Sequence, residues 1–279
     1  MADPTTVTIT FIRHGESTDN LLPIWAGWRD APLSELGMKQ AAALGASLSM
    51  TKVDLILAST LKRAYSTAEA VLAAQPDSKP PVEKSPLLRE QTRGVAEGHP
   101  WLTEPKPGLS LEEHYARNLY PIHHERWQKF PGGESIDDLA CRAEQAVEEV
   151  ILPHVRTAVL EGKDGFHIAV ASHGLFIAEM VPALLKRDPT STEARTVWRG
   201  MHNTGWTRVT VGIAGSELRV KVTDFDSHAH LETLAESAGS GARDSIQTFA
   251  GKSSANGNSC KAEVQGENDA TKEEVVVVA

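Results

Sequence analysis

The chain has 279 residues, of which 41% are hydrophobic and 23% charged, so it fits one or two folded globular domains and excludes fibrous or wholly disordered classes. Its 28 Lys and Arg against 37 Asp and Glu give a formal charge of −9. That excludes a general polyanion binder with a broad basic face, but not a small anionic substrate held by two or three local cations. Cys141 and Cys260 are the two cysteines, too few for a disulfide framework or a Cys-based zinc site. No run approaches the roughly 18 apolar residues that span a membrane. Met1 to Thr10 has neither the basic region nor the apolar core of a signal peptide. A cytoplasmic protein is expected, with a nuclear one as the alternative, and neither nucleic acid nor membrane is an expected partner.

In chain order, Val7 to Ile12 (VTITFI) is β-branched and predicts a strand. Ser34 then caps a predicted helix carrying Leu36, Leu44 and Leu48 on one face. Asp54 to Ala58 predicts a second strand and Leu61 to Ala74 a second helix. Gln75 to Pro131 is Pro-rich and less periodic; it predicts an insertion over the strand ends, with a helix near Leu111 to Leu119. Ser135 to Leu160 reads as a long helix interrupted near Pro153. His167 to Ala171 predicts a third strand, followed by a helix from about Leu175, and Thr207 to Val211 and Leu218 to Val222 predict two final strands. This alternation predicts a three-layer α/β/α domain over residues 1–234 with a mostly parallel sheet. Residues 235–279 hold one aromatic, Phe249, among Ser, Gly, Ala, Asn, Lys and Glu. Such a composition predicts a disordered tail, with the terminal run Val275 to Val278 as its one apolar feature.

Ligands of open α/β sheets bind beyond the carboxyl ends of the strands. Here those ends are Arg13-His14, Ser59-Thr60 and Ser172-His173. His14 presents a ring nitrogen there, Arg13 a bidentate fork for phosphate oxygens, and Gly15 permits close backbone approach. Arg63 falls in the first turn of the second helix, whose N-terminus also favours anions. Alone, each of these reads as a chance surface turn, a solvated arginine or a structural histidine. Cation-capable groups at three strand ends of one sheet point instead to an anion site.

With these residues in view, the sequence resembles the histidine phosphatase superfamily, the phosphoglycerate mutase-like fold. The likeness runs through FIRHGESTDN (Phe11–Asn20), GWRDAPLSELGMKQAAALG (Gly27–Gly45), ASTLKRAYSTAEA (Ala58–Ala70), LLREQTRGVAEG (Leu87–Gly98), PGGESIDDL (Pro131–Leu139), VASHG (Val170–Gly174) and HNTGWTRV (His202–Val209). It implies His14 as a nucleophile forming a phosphohistidine, and Glu90 as general acid and base, with Glu97 the structural neighbour. It also implies phosphate binding by Arg13, Arg63 and His173, with Asn20, Gly27 and the Gly174 backbone as further contacts. No metal and no organic cofactor are implied, and His123-His124 and His228/His230 read as surface residues.

Three activities follow from the resemblance: phosphatase, phosphoglycerate mutase, or a non-catalytic phospho-ligand module. Gly27-Trp28-Arg29-Asp30 is mutase-like. However, His99 to Lys129 lacks the tryptophan and double arginine of mutases and offers only Lys106, Arg117, Arg126 and Lys129. The later blocks are closer to the TIGAR-type fructose-2,6-bisphosphatase branch, so the expected function is metal-independent hydrolysis of a small phosphorylated metabolite. Trp25, Trp28, Trp101, Trp127 and Tyr115 are candidates either for an apolar mouth or for ordinary packing. Oligomeric state is left open.

Overall fold

A computed structural model describes residues 5–234 apart from 77, 194, 195, 197, 216 and 233. The expected tail and its terminal valines lie outside the described residues. In chain order the elements are β1 (Thr6–Arg13), α1 (Glu35–Leu48), β2 (Leu55–Ser59), α2 (Lys62–Ala74), β3 (Val82–Ser85), β4 (Trp101–Leu102), α3 (Leu111–Ala116), β5 (Tyr120–Pro121), α4 (Ile136–Ala146), α5 (Leu152–Leu160), β6 (Phe166–Ser172), α6 (Gly174–Leu185), β7 (Trp206–Ala214) and β8 (Glu217–Ser227).

The main sheet has the order β3-β2-β6-β1-β7-β8. Its first four strands run parallel, and β7 and β8 add an antiparallel edge. All five residues of β2 are buried, as a parallel strand covered on both faces requires. Alternation along β1 divides the core in two. Val7, Ile9 and Phe11 face Leu139, Val147, Val155 and Met180 of the layer formed by α4, α5 and α6. Ile12 faces the opposite layer, where Leu44 and Leu48 of α1 meet Val71 of α2.

Local chemistry sets the element ends. The Ser34 hydroxyl accepts from the Gly37 N–H at 3.0 Å and starts α1. The buried stripe of α1 runs Gly37, Ala41, Leu44, Gly45, Leu48, the spacing of one helical face. Leu36 lies one position off that stripe and is 38% exposed, contrary to its expected place on the apolar face. The long helical stretch is interrupted just before Pro153, as expected, though the chain stays helical. A single π turn over Val147–Ile151 joins α4 to α5, and the proline occupies the first turn of α5, where its missing N–H is tolerated. Within the insertion, Val82–Ser85 pairs with β2 as a sheet edge that its polar sequence did not predict. The remainder forms a small aromatic cluster of Trp25, Tyr120 and Phe130 beneath Trp101 and Tyr115.

Register then fixes the site. Arg13 pairs with Ser172 across β1 and β6, and Ala58 pairs with Ala171 across β2 and β6. Three strands therefore end at one level, and the residues after them share one crevice.

Candidate active site

His14 and His173 leave adjacent strand ends with ring centroids 5.0 Å apart in an edge-on arrangement, and both are buried. The His14 Nδ1 lies 2.6 Å from the Gly15 carbonyl. A carbonyl only accepts, so Nδ1 carries the proton and Nε2 carries the lone pair. Arg63 Nε donates to that Nε2 at 3.2 Å. Burial, then the positive charges of Arg63 and Arg13, hold the His14 pKa well below the ordinary histidine value. The ring is thus neutral at neutral pH, with Nε2 unprotonated.

Arg63 is only 2% exposed and is fixed from three directions. Besides His14, it donates to the Gly27 carbonyl at 2.9 Å and the Arg29 carbonyl at 2.8 Å. The described contact of Gly27 is thus an acceptor for Arg63. Arg13 donates to the Met201 carbonyl. Burial draws the pKa values of Arg13 and Arg63 below the usual guanidinium value, and Glu90 is the leading carboxylate opposing that pull on each.

His173 Nε2 pairs with the Ser59 hydroxyl at 2.9 Å. That hydroxyl also accepts from the Leu61 N–H at 3.3 Å. His173 Nδ1 is a buried ring nitrogen with no partner among the described residues. A buried polar atom orphaned at this position is what a ligand would satisfy. Gly174 follows as the first residue of α6, where a Cβ would lie 3.5 Å from the Arg13 side chain.

The two carboxylates are placed differently. Glu90 accepts from the Leu175 and Phe176 N–H groups at 3.2 and 3.1 Å, docking it on the N-terminus of α6 beside His173. Arg142 of α4 grips the surrounding backbone, donating to the carbonyls of Leu87, Arg89 and Glu90 and pairing with Glu134 at 2.7 Å. One oxygen of Glu97 accepts from the Trp28 N–H, the Thr92 hydroxyl and the Arg93 N–H at 2.8–3.0 Å. Glu97 therefore staples two loops together. Asn20 uses its Oδ1 on the Ser17 N–H and hydroxyl, both at 2.9 Å, leaving Nδ2 without a partner among the described residues.

Several supporting residues carried no local signal. Thr67 accepts from the Gly15 N–H, and Asn203 donates to the His14 carbonyl. Gly15 itself crosses α1 with no room for a side chain: a Cβ would lie 2.6 Å from the Gly37 carbonyl oxygen. Arg93 stacks on Trp25 at 4.6 Å and makes no hydrogen bond or ion pair through its guanidinium among the described residues. Burial lowers its pKa to about 10, against the opposing charges of Glu90, Glu97 and Glu134.

Of the aromatic candidates, Trp25 is core, Trp28 donates to the Glu90 carbonyl at the rim, and Trp127 is 68% exposed. Arg126 is tied to Asp137 and Glu179, and Lys129 to Asp138. His123 is partly buried beside Phe130 and bonded to Tyr115, and His228 stacks on His202. His123 departs from the expected surface setting because Phe130 and Tyr115 cover its ring, whereas the His228 side chain stays partly exposed beside His202.

Strand-end histidines on a mostly parallel sheet, backed by two arginines, define a site suited to a phosphoryl group. The profile of the histidine phosphatase superfamily (branch 1) matches residues 9–223, and the chain belongs to that superfamily. It is 31% identical over 182 residues to a 2,3-bisphosphoglycerate-dependent phosphoglycerate mutase of Bartonella henselae, covering 63% of this chain and 81% of that one. The corresponding mutase of Sinorhizobium fredii is 32% identical over 182 residues, covering 63% and 79%. Among solved structures, a mycobacterial glucosyl-3-phosphoglycerate phosphatase aligns with a TM-score of 0.60 and 26% identity, over 80% of this chain and 99% of that one. A second mycobacterial hydrolase aligns with a TM-score of 0.61 and 25% identity, over 84% and 98%. No described helix is long and apolar enough to cross a membrane.

Proposed function

We propose that the protein is a metal-independent phosphomonoesterase working through a phosphohistidine on His14. The observation that carries this is the tautomer: the Gly15 carbonyl takes the Nδ1 proton, so the Nε2 lone pair faces the arginine-lined crevice. In the first step Nε2 attacks phosphorus, the P–N bond forms and the ester P–O bond breaks. Glu90 enters this step as the neutral acid, one oxygen released from its backbone hydrogen bond to carry the proton, and gives that proton to the departing oxygen. A water then attacks the phosphohistidine, its proton passes to Glu90, the P–N bond breaks and phosphate leaves. Arg13, Arg63 and His173, protonated on Nδ1 when the substrate is bound, hold the equatorial oxygens, where phosphoryl transfer spreads its charge. Asn20 Nδ2 and the Gly174 N–H extend that set, and Gly27 acts by holding Arg63.

Phosphoryl transfer between positions of a phosphoglycerate is the second reading, favoured by the mutase relatives. Hydrolysis is preferred because Arg126 and Lys129, cations of the insertion, are neutralised by carboxylates. The TIGAR-like blocks Leu87–Gly98 and Pro131–Ser135 point the same way. Arg93, still without an anion, supports a substrate bearing a second acidic group. The test is phosphate release from a metabolite panel in chelator, beside interconversion of 2- and 3-phosphoglycerate primed with the bisphosphate. His14→Ala is expected to lose more than about 100-fold in kcat, roughly 2.7 kcal/mol of barrier. A smaller loss with the fold intact refutes the nucleophile, and efficient interconversion with little release makes the protein a mutase.

A further inference from the structure

Beside the phosphate crevice, where the loop before β7 meets the end of β8, two histidines close on one aspartate. We propose that His202, Asp226 and His228 form a binding site for a borderline divalent cation of the zinc, cobalt or nickel class, separate from the catalytic chemistry. The three side chains each offer one ligand atom, and these atoms all lie within 4.8 Å of one another. Asp226 Oδ2 is 2.6 Å from His202 Nδ1 and 3.4 Å from His228 Nδ1.

The aspartate is held for this arrangement by its surroundings. Its backbone is left-handed, with φ at 48°, a conformation that costs a residue with a side chain. Its other oxygen accepts from the His202 N–H at 2.8 Å, and the carboxylate packs where any side chain on residue 205 would stand, 2.2 Å from a Cβ there. Oδ1 is therefore fixed, and Oδ2 is presented to the two imidazoles.

Two imidazoles and one carboxylate match the donor preferences of zinc-class cations, with remaining positions left for water. Sodium, magnesium and calcium prefer all-oxygen sets and are excluded by the same rule. At present the rings stack, with centroids 3.8 Å apart and planes at 28°. An imidazole binds a metal in its own plane, so both rings cannot address one ion while stacked. His228 supplies the freedom: its side chain is 42% exposed, and its described hydrogen bond runs from Nδ1 to the nearby Asp226 carbonyl at 2.5 Å. Binding then swings His228 out of the stack, and the cation replaces the proton between His202 Nδ1 and Asp226, releasing it to solvent.

The site adjoins the active centre without belonging to it. Met201, next to His202, accepts from Arg13, and the Thr204 N–H donates to the Arg13 carbonyl at 3.0 Å. A cation here is not a reactant, and the reading stands whether the enzyme is a phosphatase or a mutase.

The experiment titrates metal-stripped full-length protein with Zn²⁺ by calorimetry and with Co²⁺ by visible absorption. One equivalent is expected, with weak Co²⁺ bands free of thiolate charge transfer, which separates this site from the cysteines. His228→Ala should weaken binding by at least about tenfold, equal to 1.4 kcal/mol, while metal-free phosphatase activity stays at the parent level. His202→Ala should do the same to binding, and His124→Ala, in the insertion, should leave it unchanged. The proposal is overturned by the absence of stoichiometric binding, or by binding that survives in His228→Ala.

Discussion

The Nε of Arg63 sits 3.2 Å from the one nitrogen of His14 that holds a lone pair. The same guanidinium that repels a proton from the ring therefore also marks the side on which the ring's lone pair lies. Its two terminal nitrogens are meanwhile fastened to the carbonyls of Gly27 and Arg29. The group is charged, buried and rigid at once.

Arg63→Lys tests that rigidity. A lysine preserves the charge but cannot satisfy the Gly27 and Arg29 carbonyls and reach His14 together. We expect kcat to fall by about 100-fold or more, the scale of losing one fixed donor to transition-state charge. The loss should appear with good and poor leaving groups alike. Near-parental kcat in steady-state assays would show that charge alone suffices.

Glu90→Gln and Glu97→Gln separate a proton donor from a loop staple. Glu90→Gln should lose orders of magnitude on a sugar phosphate and far less on p-nitrophenyl phosphate, whose leaving oxygen needs little protonation. Rapid quench should then trap acid-labile phosphate on His14, because the water-activating base is also missing. Glu97→Gln should lose the same factor on both substrates and lower the melting temperature. Were the leaving-group dependence to follow Glu97, the proton donor would be reassigned and His14 would stand.

Arg93→Met keeps an apolar stem against Trp25 and removes the unengaged cation. For substrates with a carboxylate or second phosphate, KM should rise by roughly tenfold or more, a charge-assisted contact of about 1.5–3 kcal/mol. For p-nitrophenyl phosphate it should not move. Equal effects on both would make Arg93 a packing residue.

Acid should destabilise the fold well before the carboxylates titrate. Burial lowers the pKa of His14, His173, His123 and His167, the last two to about 4. Below about pH 6.5 the unfolded chain takes up protons that the folded chain refuses, so the unfolded state gains. Each such group removes up to about 1.4 kcal/mol per pH unit until its folded pKa is reached. Denaturant midpoints should therefore drop steeply from pH 6.5 to 5 and be flat from 7 to 8. A His167→Gln variant, remote from the strand-end site, should show a shallower slope.

Much of this was legible in the chain. Strand ends, the Ser34 cap and the set His14, Arg63 and His173 follow from periodicity and turn chemistry, which are local. What escaped depends on approach in space. Ser59 meets the His173 ring only because β2 lies beside β6, and Arg142 grips the Glu90 backbone from a helix some fifty residues further along. Arg93 lay in plain view within LLREQTRGVAEG, yet its lack of an anion is visible only once every neighbouring carboxylate has a position. The edge strand at Val82–Ser85 was missed because an exposed edge needs no apolar alternation.

At Gly15 and Gly37 two main chains touch. A Cβ on Gly37 would stand 1.9 Å from the Glu16 carbonyl oxygen, just as one on Gly15 would strike the Gly37 carbonyl. Neither residue has a functional group, and Gly37 lies inside α1, where glycine ordinarily weakens a helix. A saturation scan of the gene would nonetheless score position 37 as intolerant as His14, with alanine no gentler than tryptophan. Directed evolution toward new substrates has to leave this crossing alone and spend its diversity on the insertion instead.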